Sequence, residues 1–522
     1  MNLEIFSFFN KGEAFPLFFA DNILLWILMV PLFSIFFIFF TSFMGNQFIY
    51  KFALNSSVFS FLLSLILWLQ VFNQVKSGFQ CTYSLFLIPS MTTALKFGVD
   101  GISLFFVLLT NIFIYLCILS LNKNTLKIKE VLLHLLFLQW GVLGSFLFLD
   151  LLGFFLFFEM TLIPIYFFVL IWGSRERRVR ASYLISIYTL LGSIFMFFNL
   201  LYIYSKTGTT DYELLLTLIF NEEDQKFLWI TFFISFAAKI PLFPLHIWLP
   251  EAHVEAPTLG SVLLAVLLLK LGTYGLIRFS LPLFPEGTTY FGPLVSTFAV
   301  MGVIYTCLTA IRQIDLKKII AYSSVGHMNV VLLGIMSSTV EGLEGAIFQM
   351  LSHGVVSGAL FFAVGVIYER YSVRSLKYFG GLAFFYPLFA IVFLIFSMAN
   401  ISFPLTSSFV GEFLIFMGLF QYSFWATFFA STSMVLGAVY TLWTYNRVFF
   451  GNIKVLSLVA YKDLNRKEVG LFTILIFMLF LMGLFSYLFL DAMLVDCINL
   501  LEHAKGGKIN HLRACSLLFI IT

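Results

Sequence analysis

Apolar and polar positions fall in blocks along this chain, with no period of two and little of 3.6. Runs of about twenty apolar residues, the length that crosses a bilayer as a helix, recur with short polar connections between them. Hydropathy places spans near 24–43, 52–72, 101–121, 131–149, 153–172, 181–204, 227–246, 259–279, 290–311, 319–337, 345–367, 382–421, 424–450 and 469–490. The twelfth is too long for one straight crossing and contains Pro404. The fold class predicted is an all-α polytopic membrane protein with about fourteen transmembrane helices.

Two of the spans contain lysines and are joined by a polar run. In FLWITFFISFAAKIPLFPLHIWLPEAHVEAPTLGSVLLAVLLLKLGTYGLIR, each apolar segment carries one lysine, Lys239 and Lys270. Pro241 and Pro244 follow the first lysine, and His246, Glu251, His253 and Glu255 lie between the segments. A lysine at the centre of a membrane helix costs roughly 2.5–3.5 kcal/mol on insertion scales, so it needs a partner, water or a task. The prolines remove backbone donors and interrupt the seventh span, and such breaks persist at membrane depth where they line a cavity or pack on protein. A second interruption, at Pro404, lies five spans later and is followed by Glu412. Five is an odd number, so if spans four to eight and nine to thirteen are copies they are inverted, an arrangement known from transporters.

The composition agrees with a membrane protein. Of 522 residues, 61% are hydrophobic and 11% charged, against roughly 25% charged in soluble domains. The 70 phenylalanines read as a compositional bias and not as an aromatic site. Cys81, Cys117, Cys307, Cys497 and Cys515 show no metal-ligand spacing, so neither zinc nor an iron–sulfur cluster is expected. Nothing in the charge pattern suggests nucleic acid. The first residues, MNLEIFSFFNKGEAF, are not arginine-rich and do not resemble a transit peptide.

Roughly 19 of the 30 bases fall in alternate loops. They include Lys51, the groups at 123–129 and 175–180, Arg312, Lys317 and Lys318, Arg370, Arg374 and Lys377, and the bases from Arg447 to Lys467. These loops therefore face the cytoplasm or matrix, with both termini on the other, more acidic side.

The remaining titratable residues inside spans are few. Glu159, in GFFLFFEMTLIPIYFFVLIWG, must be neutral or face a partner, and Lys239 is the candidate. Lys270 has apolar residues on both sides, which argues against a chain that reaches the interface. His327 and His353 lie in separate spans, and histidine exchanges protons near neutral pH with little tuning. The plain alternatives are a packed, protonated Glu159, structurally partnered lysines, and histidines bonded to nearby hydroxyls. For His246, Glu251, His253 and Glu255 the alternatives are proton uptake and an ordinary solvated connection.

These residues sit in runs that resemble a known family. KIPLFPLHIWLPEAHVEAPTLGSVLLAVLLLKLGTYGLIRF, LTAIRQIDLKKIIAYSSVGHMN, DGISLFFVLLT, FFEMTLIPIYFFVLIWGSR and FVGEFLI are similar to the subunit 4 family of NADH dehydrogenase, the antiporter-like membrane subunits of respiratory complex I. The mitochondrial form of plants and protists is nearest, and the resemblance runs from about 98 to about 451.

The resemblance implies fourteen helices in two inverted five-helix repeats, with helices 7 and 12 broken. The domains expected are 1–130 (helices 1–3), 131–280 (first repeat), 281–452 (second, inverted repeat) and 453–522 (connecting loop, last helix and polar tail). It also implies a proton channel through Glu159, Lys239, Lys270, His327 and Glu412, supported by His246, Glu251, His253, Glu255 and His353 and by the breaks at Pro241, Pro244 and Pro404. Glutamate at 412, where sister subunits tend to carry lysine, favours subunit 4.

The implied activity is H+-translocating NADH:ubiquinone reduction in the mitochondrial inner membrane. The chain itself would bind no cofactor, while the complex uses NADH, FMN, iron–sulfur clusters and ubiquinone. Its partners would be other membrane-arm subunits and lipids, cardiolipin among them, with basic loops in the matrix and both termini in the intermembrane space. The competing readings are a subunit of a multi-subunit sodium/proton antiporter and a haem or quinone redox membrane protein. One departure is Pro404-Leu405-Thr406 where the family has Pro-Gly-Thr. Leucine disfavours positive φ, so either the turn differs or a neighbour takes that role.

Overall fold

The computed structural model describes residues 22–41, 44–86, 94–121, 127–454 and 463–521, the side chains of 85, 86, 94, 95 and 505–521 excepted. The N-terminal stretch, the end of the first span at 42–43, Lys123, Lys462 and the side chain of Cys515 lie outside the described residues. Nearly all of the described chain is helical. Among the described residues, twelve helices are long and apolar enough to cross a membrane. The two expected spans missing from that set are the interrupted ones. One is divided into Glu222–Lys239 and Trp248–Glu255, the other into Pro387–Asn400 and Ser407–Tyr422. Prolines at 241 and 244 and at 404 leave each piece too short or too charged to count alone.

The expected all-α class holds, with one hairpin added between spans: Gln80–Phe86 and Ala94–Val99 pair antiparallel, with Tyr83 opposite Phe97 and Ser84 opposite Lys96. This segment falls between spans, where the hydropathy blocks leave the backbone type open. After a break at Phe485, a further helix runs Tyr487–Ile521.

The chain divides into two compact units. The first comprises residues 1–164, 200–218 and 491–499. Its helices Asn46–Ile66, Gly101–Ser120 and Ile128–Leu147 meet around buried polar groups: Gln139 donates to Asn111 Oδ1 at 2.8 Å and to Ser60 Oγ at 3.0 Å. The hairpin is fastened at its ends. Asp496 accepts the amides of Gly101 (2.6 Å) and Gly78 (3.3 Å), and Lys96 pairs with Asp211. The bond to Asp211 holds the Lys96 ammonium above its usual range, with burial opposing. Asp100 and Asp150 cap the helices that follow them.

The second unit comprises 165–199, 219–490 and 500–522. Its most enclosed spans are Thr258–Leu283, wholly buried, and Val340–Tyr371, 94% buried. A helix enclosed by protein on all sides can carry polar groups away from lipid, and these two carry Lys270 and His353. At the second break Leu405 itself takes the left-handed conformation, φ +76°, beside Ser402 at +64°. The turn for which the resemblance leads one to expect glycine is therefore made here by leucine, a residue 60% exposed that has little packing to lose. The strain amounts to about 1–2 kcal/mol. Just beyond, Gly411 brings Ser407–Tyr422 against Val340–Tyr371: a Cβ there would lie 2.6 Å from Gln349 Oε1 and 2.9 Å from Gln349 Cα.

Gly411→Val should reduce the folded protein recovered from membranes several-fold, because backbone and a buried amide must give way. Leu405→Gly should leave recovery unchanged and the thermal midpoint equal or higher, while Leu405→Val, β-branched in a left-handed turn, should lower it. Detergent extraction followed by a thermal melt reads all three, and normal recovery of Gly411→Val would contradict the close approach.

Candidate functional site

Lys270 sits at the middle of Thr258–Leu283, where the helix departs from regular α geometry. Wider π-type turns occupy Leu264–Leu268 and Leu276–Ser280 on either side of it. Such turns displace backbone carbonyls from their usual partners and occur often at functional positions. The Lys270 ammonium reaches back to the Ala265 carbonyl. Its other contact is across the helix boundary, with His353 Nδ1 at 2.8 Å. The side chain is fully buried and its ammonium has these neutral acceptors in place of a carboxylate. Gly272 permits the helix to lie on the end of Glu222–Lys239: a Cβ there would meet Ile240 Cγ1 at 2.8 Å and the Phe236 carbonyl at 2.9 Å.

The row continues through His353 to a second ring. The rings of His353 and His327 are 5.8 Å apart between centroids. His327 Nδ1 then lies 2.8 Å from Glu412 Oε1. The same oxygen accepts from Gln349 Nε2 at 3.1 Å, and Ser352 Oγ donates to Gln349 Oε1 at 3.1 Å. Two donors on one oxygen suit a carboxylate, with the His327 proton on Nδ1. Lys270, His353, His327 and Glu412 thus form a contiguous file from three intact helices and one half-helix. Nε2 of both histidines is buried without a protein hydrogen-bond partner.

The residues flanking the first break separate into inner and outer sets. Lys239 is buried at the last turn of its helix. His246 is buried against Phe243 and Tyr305, with ring centroids at 5.7 and 5.5 Å. His253, completely buried, stacks on Phe361 at 4.5 Å with the rings 6° from parallel, and neither of its ring nitrogens has a protein hydrogen-bond partner. Glu255 is buried too, its backbone carbonyl accepting from Ser174 N at 3.1 Å. Only Glu251 is substantially exposed, 3.9 Å from Arg180. The polar run is therefore a short enclosed helix and not a solvated connection. Glu159 belongs to the first unit, at the end of Leu151–Met160, and both of its carboxylate oxygens are shielded from solvent.

Several contributors have a larger part than the sequence alone assigns them, or were not singled out by it. His353, placed among supporting residues, is the group that touches Lys270. Gln349 had no signal of its own, although its spacing of four from His353 puts both on one helix face. Lys317, counted as a loop base, is buried and donates to the Ala256 carbonyl (2.8 Å) and Ser261 Oγ (3.2 Å). Arg374, also counted as a loop base, is buried against the Val254 carbonyl, and burial pushes its guanidinium below the ordinary value while Asp315 opposes the change. Among the described residues, no group of three or more His, Cys, Asp or Glu could hold a metal ion.

Comparison with known proteins gives this geometry a family. Residues 149–437 match the family model described as NADH:quinone oxidoreductase/Mrp antiporter, TM. The chain is 48% identical to NADH-ubiquinone oxidoreductase chain 4 of Marchantia polymorpha over 86% of its own length and 91% of that protein's. It is 49% identical to the Arabidopsis thaliana chain 4, covering 87% and 92%. Among solved structures, a chain of respiratory complex I from Thermus thermophilus with bound NADH aligns with TM-score 0.82 at 31% identity, covering 91% of this chain and 99% of that one. A chain of the Mrp complex from Dietzia shares the fold, with TM-score 0.81 at 19% identity over 94% and 99%. The chain belongs to the NADH-ubiquinone oxidoreductase chain 4 family, within the antiporter-like membrane subunits that the NADH:quinone oxidoreductase/Mrp antiporter model describes.

Proposed function

We propose that this chain is a core membrane-arm subunit of proton-pumping NADH:ubiquinone oxidoreductase, multi-pass in the mitochondrial inner membrane. Protons move along Glu159, Lys239, Lys270, His353, His327 and Glu412, driven by quinone reduction in partner subunits that hold NADH, FMN, iron–sulfur clusters and ubiquinone. The observation that carries this reading is the file from Lys270 through both histidines to Glu412, enclosed in protein at membrane depth. A buried polar atom left without a partner costs about 1–3 kcal/mol, so the unpartnered nitrogens of His253, His353 and His327 favour bound water at these points. Water bridging the 5.8 Å between the histidine rings would complete a path for proton hopping.

The expected pairing of Glu159 with Lys239 supplies the switch. A nearby carboxylate favours the charged lysine, and separating the two lowers its proton affinity. His246, His253 and Glu255 take up protons ahead of the lysines, Glu251 lies at the mouth, and the breaks at Pro241, Pro244 and Pro404 give the two repeats their flexible points. Moving a charge against the membrane potential costs about 2.3 kcal/mol per 100 mV, which coupling to the partner subunits must provide. The titrations are interdependent, so the row shares its apparent pKa values. The spans number about fourteen, the repeats cover 131–280 and 281–452 in inverted orientation, the basic loops face the matrix and the termini the intermembrane space. The sodium/proton antiporter reading rests on a family model common to both kinds of protein and on a likeness of fold at 19% identity, whereas the chain 4 relatives are nearly half identical.

Lys270→Ala in the assembled complex should lower proton-coupled NADH oxidation at least tenfold without changing the amount of complex on a native gel; full activity would overturn the scheme. Glu159→Gln, Lys239→Ala and the double variant should lose activity non-additively, the double variant resembling the worse single one, and simple additivity would show that the two act independently. A cysteine placed at Arg177 should react with an impermeant maleimide only from the matrix side, and labelling in intact mitochondria would reverse the assigned orientation.

A further inference from the structure

The file does not end at Glu412. His327 and Glu412 also line a small pocket, with room for about one water molecule, together with Ser323, Asn400, Cys307 and Tyr440. Tyr440 comes from Phe424–Phe449, which contributes nothing else to the row. Its side chain is buried and lines this pocket beside those of Ser323, Asn400 and Glu412. Ser323 donates its own proton to the Ile320 carbonyl at 2.8 Å, leaving its lone pairs for a donor in the pocket. Asn400 is the last residue of Pro387–Asn400, directly at the Pro404 interruption. The pocket therefore joins Tyr440 to an intact helix, to the broken helix and to Glu412.

The pocket also has a direction. Ser323 is seven residues from the start of its helix at Leu316, and Tyr440 seven residues before Arg447. At about 1.5 Å per residue both lie roughly 10 Å from those ends, and Cys307 is nearer still to exposed Arg312. These are the ends that carry the basic loops. His327, eleven residues from the start at Leu316, lies farther from that end than Ser323.

We propose that Tyr440 is a further proton-relay residue, its hydroxyl passing protons between Glu412 and the basic ends of the helices through the pocket shared with Ser323 and Asn400. The second half of the row then has an uptake route of its own from the face of the basic loops, separate from the one at Glu251 and not an exit. In each transfer the tyrosine oxygen gains a proton from one neighbouring hydroxyl or water as its own leaves to the next acceptor, so one O–H bond forms as another breaks and the tyrosine ends unchanged. Rotation of the hydroxyl resets it. Asn400 makes the relay sensitive to the Pro404 break, since movement of the half-helix withdraws one of the polar side chains that line the pocket.

The proposal rests on the proton-conducting reading, and its test separates the two. In the assembled complex, Tyr440→Phe keeps the ring and removes only the hydroxyl. Turnover with NADH should fall at least fivefold per assembled complex, KM for NADH should stay constant, and the solvent deuterium isotope effect should rise, because proton transfer becomes limiting. Normal turnover, or lower turnover with an unchanged isotope effect, would overturn it, the latter showing a structural role only. If Tyr440→Phe fails to assemble, Asn400→Leu removes one polar side chain from the pocket lining with the tyrosine intact and is read by the same criteria. Glu412→Gln serves as reference: activity retained there defeats the parent reading, whereas activity lost there and kept in Tyr440→Phe defeats this inference alone.

Discussion

Everything in the second unit depends on keeping a lysine ammonium and two imidazoles inside a hydrocarbon layer. Each group alone would cost several kcal/mol at that depth, and the chain meets the cost by giving it neighbours of its own kind. Lys270 has the Ala265 carbonyl and His353, and His327 has Glu412. The rest of the fold supplies enclosure. The helices that carry Lys270 and His353 are the most completely surrounded spans, so no lipid reaches their polar faces. The π-type turns beside Lys270 and the close approach at Gly411 place backbone carbonyl, amide and carboxylate within reach of one another.

The two interruptions follow from the same requirement. A continuous helix satisfies its own backbone and presents only side chains, whereas a broken one offers ends that can bind polar groups. The first break puts His246, in the turn, and His253, in the short helix Trp248–Glu255, inside the protein. The second sets Asn400 against Glu412 and Tyr440 around one pocket. That Leu405 holds a left-handed turn in the second break shows how strongly the surrounding helices determine that geometry, since nothing in the leucine favours it.

Much of this was legible in the chain itself. Long apolar blocks, two lysines placed within them and prolines at 241, 244 and 404 were enough to predict a polytopic helical protein with a polar row and two interrupted helices. Hydropathy could not reveal the 80–99 hairpin, whose strands lie between spans and have no transfer signature. Nor could it separate a base in a loop from one folded inward: Lys317 and Arg374 read as surface charge and are buried. Gln349 and Tyr440 escaped notice because neither residue type is costly enough in an apolar run to demand explanation. Their importance comes from the neighbours that packing gives them, which a single sequence does not encode locally. His353 was the intermediate case, visible as a titratable group, but joined to Lys270 only by the crossing of two helices.

The central claim is that these groups form one wetted file along which protons pass. A density map of the assembled complex, resolved well enough to show ordered water, tests it most directly. The account predicts water between the rings of His353 and His327 and at the buried nitrogens of His253, with Lys270, both histidines and Glu412 in a continuous hydrogen-bonded series. Those side chains in dry, separate environments, with apolar atoms filling the space between the two rings, would contradict it.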